Sequence, residues 1–417
     1  MPPEDCATCG FDFGTSNTSV GHFVDNQPRL IPIQDGRVSI PTAIFFSLDD
    51  GIAYYGREAV ARYVLRDDGR FMRSLKSVLG SSLIYDTTQV KGQRLRFIDI
   101  ISLFIAAVRD AAGGPTAVVM GRPVHFVDGN DEADREAESQ LRFAAELAGF
   151  TDIEFQFEPI AAALDYEQSV STEHLAFVVD IGGGTSDFSI VRVSPERRGR
   201  TDRKSDILGY SGVRVGGTDF DRYLELRTVM PHLGLGSKLR HKNMEPPVWW
   251  FHELATWQRI NVMYDPRVAT DIRRVRRDAL APEKLDRLLR VIETRKGHAL
   301  LAAVEDAKIA LSGNTSTILS SSVLPDIGDI EISRQQLEEA ISGSIDQVVA
   351  RLHRTLAAAA VTPDAIDAVF LTGGSSKLPV LQSHVRAIFP SATMIEGDAF
   401  GSVATGLTID AHNRFGD

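Results

Sequence analysis

The fold of this chain is decided by the stretch Val178-Val179-Asp180-Ile181-Gly182-Gly183-Gly184-Thr185-Ser186-Asp187-Phe188. An apolar run ends at Asp180, three glycines and Thr185 follow, and a second apolar run begins at Phe188. This order predicts a β-hairpin whose turn wraps a phosphate, because glycine backbone approaches an anion closely and directs N–H groups at it. Asp180 stands where a carboxylate can hold a hydrated Mg²⁺ beside that phosphate. A tight glycine turn with a capping aspartate is the alternative interpretation of the same residues.

The same pattern occurs a second time, near the start of the chain. Within Cys9–Val20, an apolar run reaches Asp12, then Gly14-Thr15-Ser16 follows, and another apolar run begins. A single glycine turn of this kind is common, but two copies in one chain are not expected by accident. The repetition predicts two similar halves that face one nucleotide, each supplying a phosphate loop and a carboxylate on the metal side.

Three further motifs follow the hairpins in order. They are Glu158-Pro159-Ile160-Ala161-Ala162-Ala163-Leu164, Gly216-Gly217-Thr218-Asp219-Phe220-Asp221 and Leu371-Thr372-Gly373-Gly374-Ser375-Ser376-Lys377-Leu378-Pro379. Together with the two hairpins they resemble the nucleotide-binding domain of the heat shock protein 70 family, a branch of the actin-like ATPases. The resemblance spans residues 12 to 406, so it covers nearly the whole chain. Each motif is weak by itself, and the ordered set is specific.

The resemblance implies an α/β protein with the actin-like ATPase fold, a duplicated ribonuclease-H-like architecture in which two lobes surround a nucleotide cleft. We expect lobe I over residues 1–172, with a small inserted subdomain at about 36–96. Lobe II then covers 173–417, with a mainly helical insertion at about 221–297. Full chaperones of this family continue into a peptide-binding domain. Because this sequence stops at Asp417, it is similar to the short, YegD-like members that lack one.

The resemblance also implies catalytic roles for four residues. Lys76 falls where the family has a lysine that stabilises charge on the γ-phosphate and orients water. Outside that setting it would be an ordinary surface lysine on a short helix. Glu158 and Asp187 would polarise the attacking water, and Thr185 would donate its hydroxyl to a phosphoryl oxygen. The implied reaction is slow hydrolysis of ATP to ADP and phosphate, in which positioning and charge stabilisation dominate.

The remaining site residues would bind the ligands. Mg²⁺ would be held through water by Asp12 and Asp180. The phosphates of ATP or ADP would be held by Gly14, Thr15, Ser16, Gly182, Gly183, Gly184 and Thr185. The rest of the nucleotide would be bound by Gly216, Gly217, Glu305, Lys308, Ser312, Gly373, Gly374, Ser375 and Lys377.

Ile309 departs from the family pattern. It stands where the family has an arginine that covers the adenine ring. Isoleucine offers apolar contact but not the cation–π attraction of arginine, which contributes about 0.5–2 kcal/mol. We therefore expect this chain to bind nucleotide more weakly than a typical member of the family.

Chaperone function, with protein clients or co-chaperones as partners, is implied by the resemblance alone. Two alternatives stay open at this point: a small-molecule kinase of the same superfamily, and a non-hydrolysing ATP-dependent scaffold or filament protein. A kinase would need a substrate-binding Asp/Arg set, which the sequence does not reveal. A non-hydrolysing pocket is disfavoured by the presence of Lys76, Glu158 and Thr185.

Composition limits the other partners. The 417 residues carry a net charge of −11, which argues against a nucleic-acid binder because such proteins need a basic surface. There is no apolar run near the roughly 20 residues of a membrane span, and no signal-like start, so we expect a cytoplasmic protein without a membrane partner. Cys6 and Cys9 have C-x-x-C spacing, but without a second pair they are predicted to be reduced thiols.

Two unusual segments receive ordinary interpretations. The basic run Arg197–Lys204 follows the second hairpin, and it is predicted to be a solvated hairpin tip rather than a binding patch. Trp249, Trp250 and Trp257 lie in the mainly helical region. Because aromatic side chains bury large areas, these residues are predicted to pack its core rather than to bind a partner.

Overall fold

A computed structural model describes residues 7–65, 67–90, 93–127, 129–241, 244–257, 259–320, 324, 327–395 and 401–416. Cys6 lies outside the described residues, and Cys9 is buried in the first strand. No helix in the described part of the chain is both long enough and apolar enough to cross a membrane.

The first part of the chain alternates strands and helices. Its strands are β1 (Thr8–Phe13), β2 (Asn17–Val24), β3 (Gln27–Leu30), β4 (Ser39–Pro41), β5 (Ala43–Ser47), β6 (Ala53–Tyr55), β7 (Gly69–Arg73), β8 (Thr87–Val90), β9 (Gln93–Arg96), β10 (Ala117–Arg122) and β11 (Asp152–Phe157). Its helices are α1 (Gly56–Leu65), α2 (Phe97–Ala111), α3 (Asp131–Leu147) and α4 (Glu158–Ser169).

The remainder is richer in helix. Its strands are β12 (His174–Ile181), β13 (Ser186–Val193), β14 (Ile207–Val213), β15 (Ser316–Leu319), β16 (Ile330–Ser333), β17 (Ala368–Thr372) and β18 (Thr393–Ile395). Its helices are α5 (Gly217–Thr228), α6 (Met230–Leu233), α7 (Val248–Leu254), α8 (Pro266–Arg276), α9 (Pro282–Glu293), α10 (Gly297–Gly313), α11 (Arg334–Ala358), α12 (Pro379–Ile388) and α13 (Ser402–Phe415).

Residue contacts divide the chain into two compact units. The first unit comprises Met1–Arg214, Ala350–Ser376 and His384–Asp417, and the second comprises Val215–Val349 and Lys377–Ser383. The lobe boundaries and the two insertions expected from the sequence remain predictions.

The first unit contains two mixed sheets with the same strand plan. The strand order is β11-β10-β1-β2-β3 in one sheet, where β4 also pairs with β2, and β18-β17-β12-β13-β14 in the other. In each, a hairpin is antiparallel, and its first strand pairs in parallel with a strand from later in the chain. The duplicated α/β plan expected from the two hairpins is therefore confirmed.

Helices α4 and α13 pack together within the first unit at very short range. A Cβ at Gly406 of α13 would overlap the backbone carbonyl of Ala161 in α4. On its other side α13 approaches β1, where a Cβ at Gly10 would overlap the backbone of Thr408. Because only hydrogen fits at these crossings, small residues let both helices lie close to the first sheet.

The prediction of a solvated hairpin tip over Arg197–Lys204 is wrong for Arg203. Arg203 is 1% exposed, and its guanidinium lies 2.8 Å from Glu167 of α4 and also pairs with Asp206. Neighbouring Arg200 and Thr201 are exposed, as predicted. Burial of a guanidinium is tolerable here because two carboxylates satisfy its N–H donors. The loop is therefore anchored to α4.

The tryptophans of the second unit divide between core and surface. Trp250 is 1% exposed and packs in the core beside the buried Phe251, as predicted. Trp249, the preceding residue, is 46% exposed, so the packing prediction is wrong for this side chain. The buried face of α7 comprises positions 250, 251 and 254, and position 249 lies outside this face of the helix.

Glu225 on α5 is a buried carboxyl without a hydrogen-bond partner in the described structure. Its side chain is fully buried, and neither carboxylate oxygen contacts a donor. Burial raises the pKa of Glu225 well above its usual value, and repulsion from Asp221 on the preceding turn adds to this effect. The fold therefore favours the protonated form of this acid.

We expect Glu225→Gln to stabilise the protein at high pH and to have little effect at low pH. The folded-state pKa lies above the unfolded-state pKa, so the wild-type protein loses stability as pH rises above about 4.5. The amide has no charge to bury, and we expect a gain of about 1–2 kcal/mol at pH 8. Thermal unfolding at pH 4.5 and pH 8 measures this, with exposed Glu283→Gln as control. An equal effect at both pH values would contradict the burial argument.

Candidate active site

The two glycine turns come together in the first unit. A Cβ at Gly183 would overlap Ser16 Oγ, so the turn between β12 and β13 lies directly against the turn between β1 and β2. Thr42 braces the first turn, because its hydroxyl donates to the Gly14 carbonyl at 2.7 Å and its N–H donates to the Ser16 carbonyl at 2.8 Å. In the second turn, Thr185 and the preceding glycine are exposed. Two backbone loops of this kind can direct N–H groups at one anion.

Lys76 and Glu158 form an ion pair next to these turns. The ammonium Nζ of Lys76 donates to Oε1 of Glu158 at 2.6 Å, and the two side chains are 9% and 18% exposed. Lys76 lies in a single 3₁₀ turn, Leu75–Val78, which the chain enters through Ser74 with a left-handed φ of 57°. Glu158 is the first residue of α4, where Pro159 favours helix initiation. Two residues 82 positions apart are thus joined at one point.

Asp12 and Asp180 provide two more carboxylates at the same place. Burial raises the pKa of Asp12 to about 8, repulsion from Glu158 and Asp180 adds to the rise, and Lys76 opposes it. Burial likewise raises the pKa of Asp180 to about 7, and the charges of Glu158 and Asp187 contribute. Lys76 alone therefore does not keep both aspartates ionised at neutral pH.

This donor set fits Mg²⁺. Magnesium prefers one or two protein carboxylates and completes its octahedral shell with water and phosphate oxygens. The described residues contain no group of three or more His, Cys, Asp or Glu side chains arranged to hold a metal ion directly. Asp12 and Asp180 would therefore hold the ion together with water and substrate, and its charge would relieve their mutual repulsion.

The Gly373 turn lies beside Asp180. Because Asp180 is paired in register with Thr372, the residues that follow β17 emerge next to the carboxylate of Asp180. Gly373 has a φ of 77°, and a Cβ there would overlap the Ile181 carbonyl and lie 2.8 Å from Asp180 Oδ1. Glycine is required at this position for both reasons. Gly374 is half-buried and Ser375 is buried, and both belong to the first unit.

The other predicted nucleotide-binding residues belong to the second unit. Gly216 precedes α5 and donates its N–H to Asp219 at 3.0 Å, and Gly217 begins the helix. Lys308 of α10 is buried, with its ammonium 2.7 Å from Asp221 Oδ1 and donating to the Gly217 carbonyl at 3.1 Å. The ion pair and hydrogen bond of Lys308 therefore connect α10 to the first turns of α5.

The exposed face of α10 carries the remaining candidates. Glu305 is exposed, Ser312 is half-buried, and Ile309 is 59% exposed. Lys377 is also exposed, in the segment that follows the Gly373 turn. An isoleucine this exposed has little packing role within its own unit, so it is available for contact with a ligand.

Comparison with known proteins identifies the family. The sequence pattern of the family described as Hsp70 protein matches residues 107–230 and 289–416, which is more than half of the chain. The chain belongs to the heat shock protein 70 family. Its two sheets of identical plan are the duplicated α/β core of the actin-like ATPase fold found in that family.

Curated relatives of this heat shock protein 70 family chain are named as chaperones. Chaperone protein HscA of Pectobacterium carotovorum subsp. carotovorum (strain PC1) is 27% identical, over 98% of this chain and 58% of its own length. The Chaperone protein HscA homolog of Methylibium petroleiphilum is 24% identical, over 100% of this chain and 60% of its own length. The homolog of Shewanella sp. (strain MR-4) is 23% identical, with 98% and 59% covered. The chain thus spans less than two thirds of these relatives.

Beyond the motifs shared with the heat shock protein 70 family, sequence reasoning missed three residues around the site. Thr42 braces the first turn, and a hydrogen bond from Thr372 lowers the pKa of Asp180 against the effect of burial. Tyr210 of β14 donates its hydroxyl to Asp187 Oδ1 at 2.6 Å. Thr372 lies within the motif Leu371–Pro379 and so carried a weak signal, but nothing in the sequence around Tyr210 indicated its contact.

Proposed function

We propose that this chain binds Mg·ATP and slowly hydrolyses it to ADP and phosphate, as the ATPase part of a chaperone-like protein. One observation carries the proposal: the Lys76–Glu158 ion pair at 2.6 Å, next to Asp12 and Asp180. Three carboxylates beside one cation reduce folding stability, and clusters with such perturbed pKa values are concentrated at functional sites. The nearby glycine turns supply the phosphate-binding groups that such a ligand requires.

The two turns would bind and orient the phosphates. Backbone N–H groups of Gly14–Ser16 and Gly182–Thr185 would face the phosphoryl oxygens, and the exposed hydroxyl of Thr185 would donate to one of them. When bound, Mg²⁺ would neutralise charge on the phosphates. Asp12 and Asp180, which are half-buried, would hold it.

Lys76, Glu158 and Asp187 would carry the chemistry. The ammonium of Lys76 would stabilise the charge that develops on the γ-phosphate oxygens. Its bond to Glu158 fixes both side chains, so the free carboxylate oxygen of Glu158 can accept a hydrogen bond from the attacking water. Asp187 would accept a second hydrogen bond from that water. Positioning of this kind accounts for most of the catalysis expected in phosphoryl transfer.

Protein clients and co-chaperones are proposed as partners because the curated relatives are named chaperones. Neither alternative from the sequence is favoured by those names: none of the three relatives is named as a kinase or a filament protein. The chain spans only 58% to 60% of the relatives' length. Binding of a client or a co-chaperone is therefore part of this proposal.

The direct test is single-turnover hydrolysis of Mg·ATP by the purified chain. We expect slow release of phosphate that depends on Mg²⁺ and that is retained after size-exclusion purification. Tight ATP binding without turnover would contradict hydrolysis and would favour a nucleotide sensor. Transfer of the γ-phosphate to a small metabolite in place of water would instead support the kinase alternative.

Ile309→Arg is expected to tighten nucleotide binding about 2- to 30-fold. An arginine at this exposed position of α10 would restore a cation–π contact with the adenine of about 0.5–2 kcal/mol. Titration calorimetry with ADP measures the change. Ile318→Arg is the matched control, because Ile318 is 63% exposed in the same unit and lies on β15, outside the predicted site. Equal tightening in both variants would point to a general charge effect on the nucleotide and contradict the contact with adenine.

A further inference from the structure

Tyr210 contacts a carboxylate at the active site from a neighbouring strand. Strand β14 pairs with β13 so that Tyr210 lies opposite Ser189, and Asp187 lies opposite Gly212. Tyr210 and Asp187 are thus diagonal neighbours, a spacing that an aromatic side chain can span. The phenol hydroxyl donates to Asp187 Oδ1 at 2.6 Å, a length typical of a hydroxyl bonded to a carboxylate.

The ring of Tyr210 is held in place from the other side. The His125 ring packs against it edge-on, with centroids 5.4 Å apart and planes at 63°. His125 lies in the loop after β10, and Phe126 of the same loop is 5.9 Å from the Lys76 ammonium. One loop therefore contacts both the Lys76–Glu158 pair and the Tyr210–Asp187 pair, and so it links the positions of the two pairs.

A small cavity lies beside Asp187. Its lining includes Glu158, Asp180, Asp187 and Tyr210, and its water-accessible volume is about 20 Å³. A space of this size holds about one water molecule when polar groups line it. Asp187 and Tyr210 therefore border a water-sized space that the other two carboxylates also border.

We propose that Tyr210 is a positioning residue for ATP hydrolysis, acting through Asp187. This inference rests on the proposed function. A carboxylate has about four acceptor positions, and the hydroxyl of Tyr210 occupies one of them on Oδ1. That bond fixes the rotation of the carboxylate, so a water molecule hydrogen-bonded to Asp187 would be held in one position. Small errors in such a geometry reduce catalysis strongly, because the reacting groups must be aligned before reaction.

Tyr210→Phe tests the hydroxyl alone, since it keeps the ring and its packing against His125. We expect the turnover rate to fall about 10-fold, while the KM for ATP and the thermal unfolding midpoint change little. Tyr166→Phe is the matched control, because its hydroxyl bonds to His174 at 2.7 Å in the same unit and away from the site. Unchanged turnover in Tyr210→Phe, or an equal loss in both variants, would overturn the proposal.

A double-mutant cycle identifies the route of action. If Tyr210 acts through Asp187, Tyr210→Phe will cause no further loss of turnover in an Asp187→Asn background. Independent, multiplicative losses would overturn the inference while leaving ATP hydrolysis established. Absence of turnover in the wild-type chain would instead overturn the proposed function, and the positioning role with it.

Discussion

Lys76→Ala is expected to lower the single-turnover rate of ATP hydrolysis by about 100-fold or more while ATP remains bound. The ammonium is proposed to stabilise charge on the γ-phosphate, and it also fixes Glu158 through a 2.6 Å hydrogen bond. Loss of one preorganised charge at a transferring group typically costs about 100- to 1000-fold in rate. The residues predicted to bind adenosine are untouched, so the affinity for ATP should change much less than the rate.

The same substitution is expected to cost stability. Glu158 is 18% exposed, and without Lys76 its charge would remain among Asp12 and Asp180 without a cation. We expect a loss of about 1–3 kcal/mol in the free energy of unfolding. The double variant Lys76→Ala/Glu158→Gln should recover this stability but not the activity, because it removes the uncompensated charge and restores no catalytic group.

The measurement is a single-turnover assay with protein in excess over ATP, combined with thermal unfolding. Lys238→Ala is the control, because Lys238 forms a 2.7 Å ion pair with Glu245 on the surface, where its side chain is 42% exposed. The control should hydrolyse ATP like the wild type. If Lys76→Ala hydrolysed ATP at the wild-type rate, Lys76 would have no catalytic role. The proposal that it fixes Glu158 for catalysis would then also be wrong.

Asp180→Asn is expected to raise the Mg²⁺ concentration needed for half-maximal turnover about 10- to 100-fold. The substitution preserves the shape of the side chain and its register with Thr372, but it removes one of two carboxylates proposed to hold the ion. Loss of groups that hold or orient a metal commonly reduces metal affinity by about this factor. The residual carboxylate of Asp12 should still support turnover at high Mg²⁺.

In the metal-free protein, Asp180→Asn should preserve or raise thermal stability even though it weakens the response to Mg²⁺. Asp12 and Asp180 have raised pKa values, about 8 and about 7, because both are buried close to other carboxylates. Removing one of these charges lowers the repulsion, so Asp180→Asn should unfold at the same or a higher temperature than the wild type in EDTA. A variant that is both less active and no less stable would exclude misfolding as the cause.

Turnover across a Mg²⁺ titration, with thermal unfolding in EDTA, checks both effects. Asp364→Asn is the matched control, since Asp364 is exposed in the same unit. Identical Mg²⁺ dependence in Asp180→Asn and wild type would rule out Asp180 as a metal-side residue.

The sequence by itself determined the two hairpins and their repetition. An apolar run that ends in aspartate and glycines specifies a strand and a turn locally, because side-chain alternation and glycine's free backbone act over a few residues. Repetition of that pattern was enough to predict two similar halves, and the resemblance to the family extended the prediction to the α/β fold and to Lys76 and Glu158. Glu158-Pro159 likewise marks a helix start by local chemistry alone.

Only the tertiary structure decided which of these residues meet. Lys76 and Glu158 are 82 residues apart, and no local pattern reports a 2.6 Å contact between them. Tyr210 reaches Asp187 through the register of two strands, and Arg203 is buried because its loop folds back onto Glu167. Local sequence sets backbone conformation and periodicity, whereas contacts across the chain depend on register and packing, which emerge only when the whole core assembles.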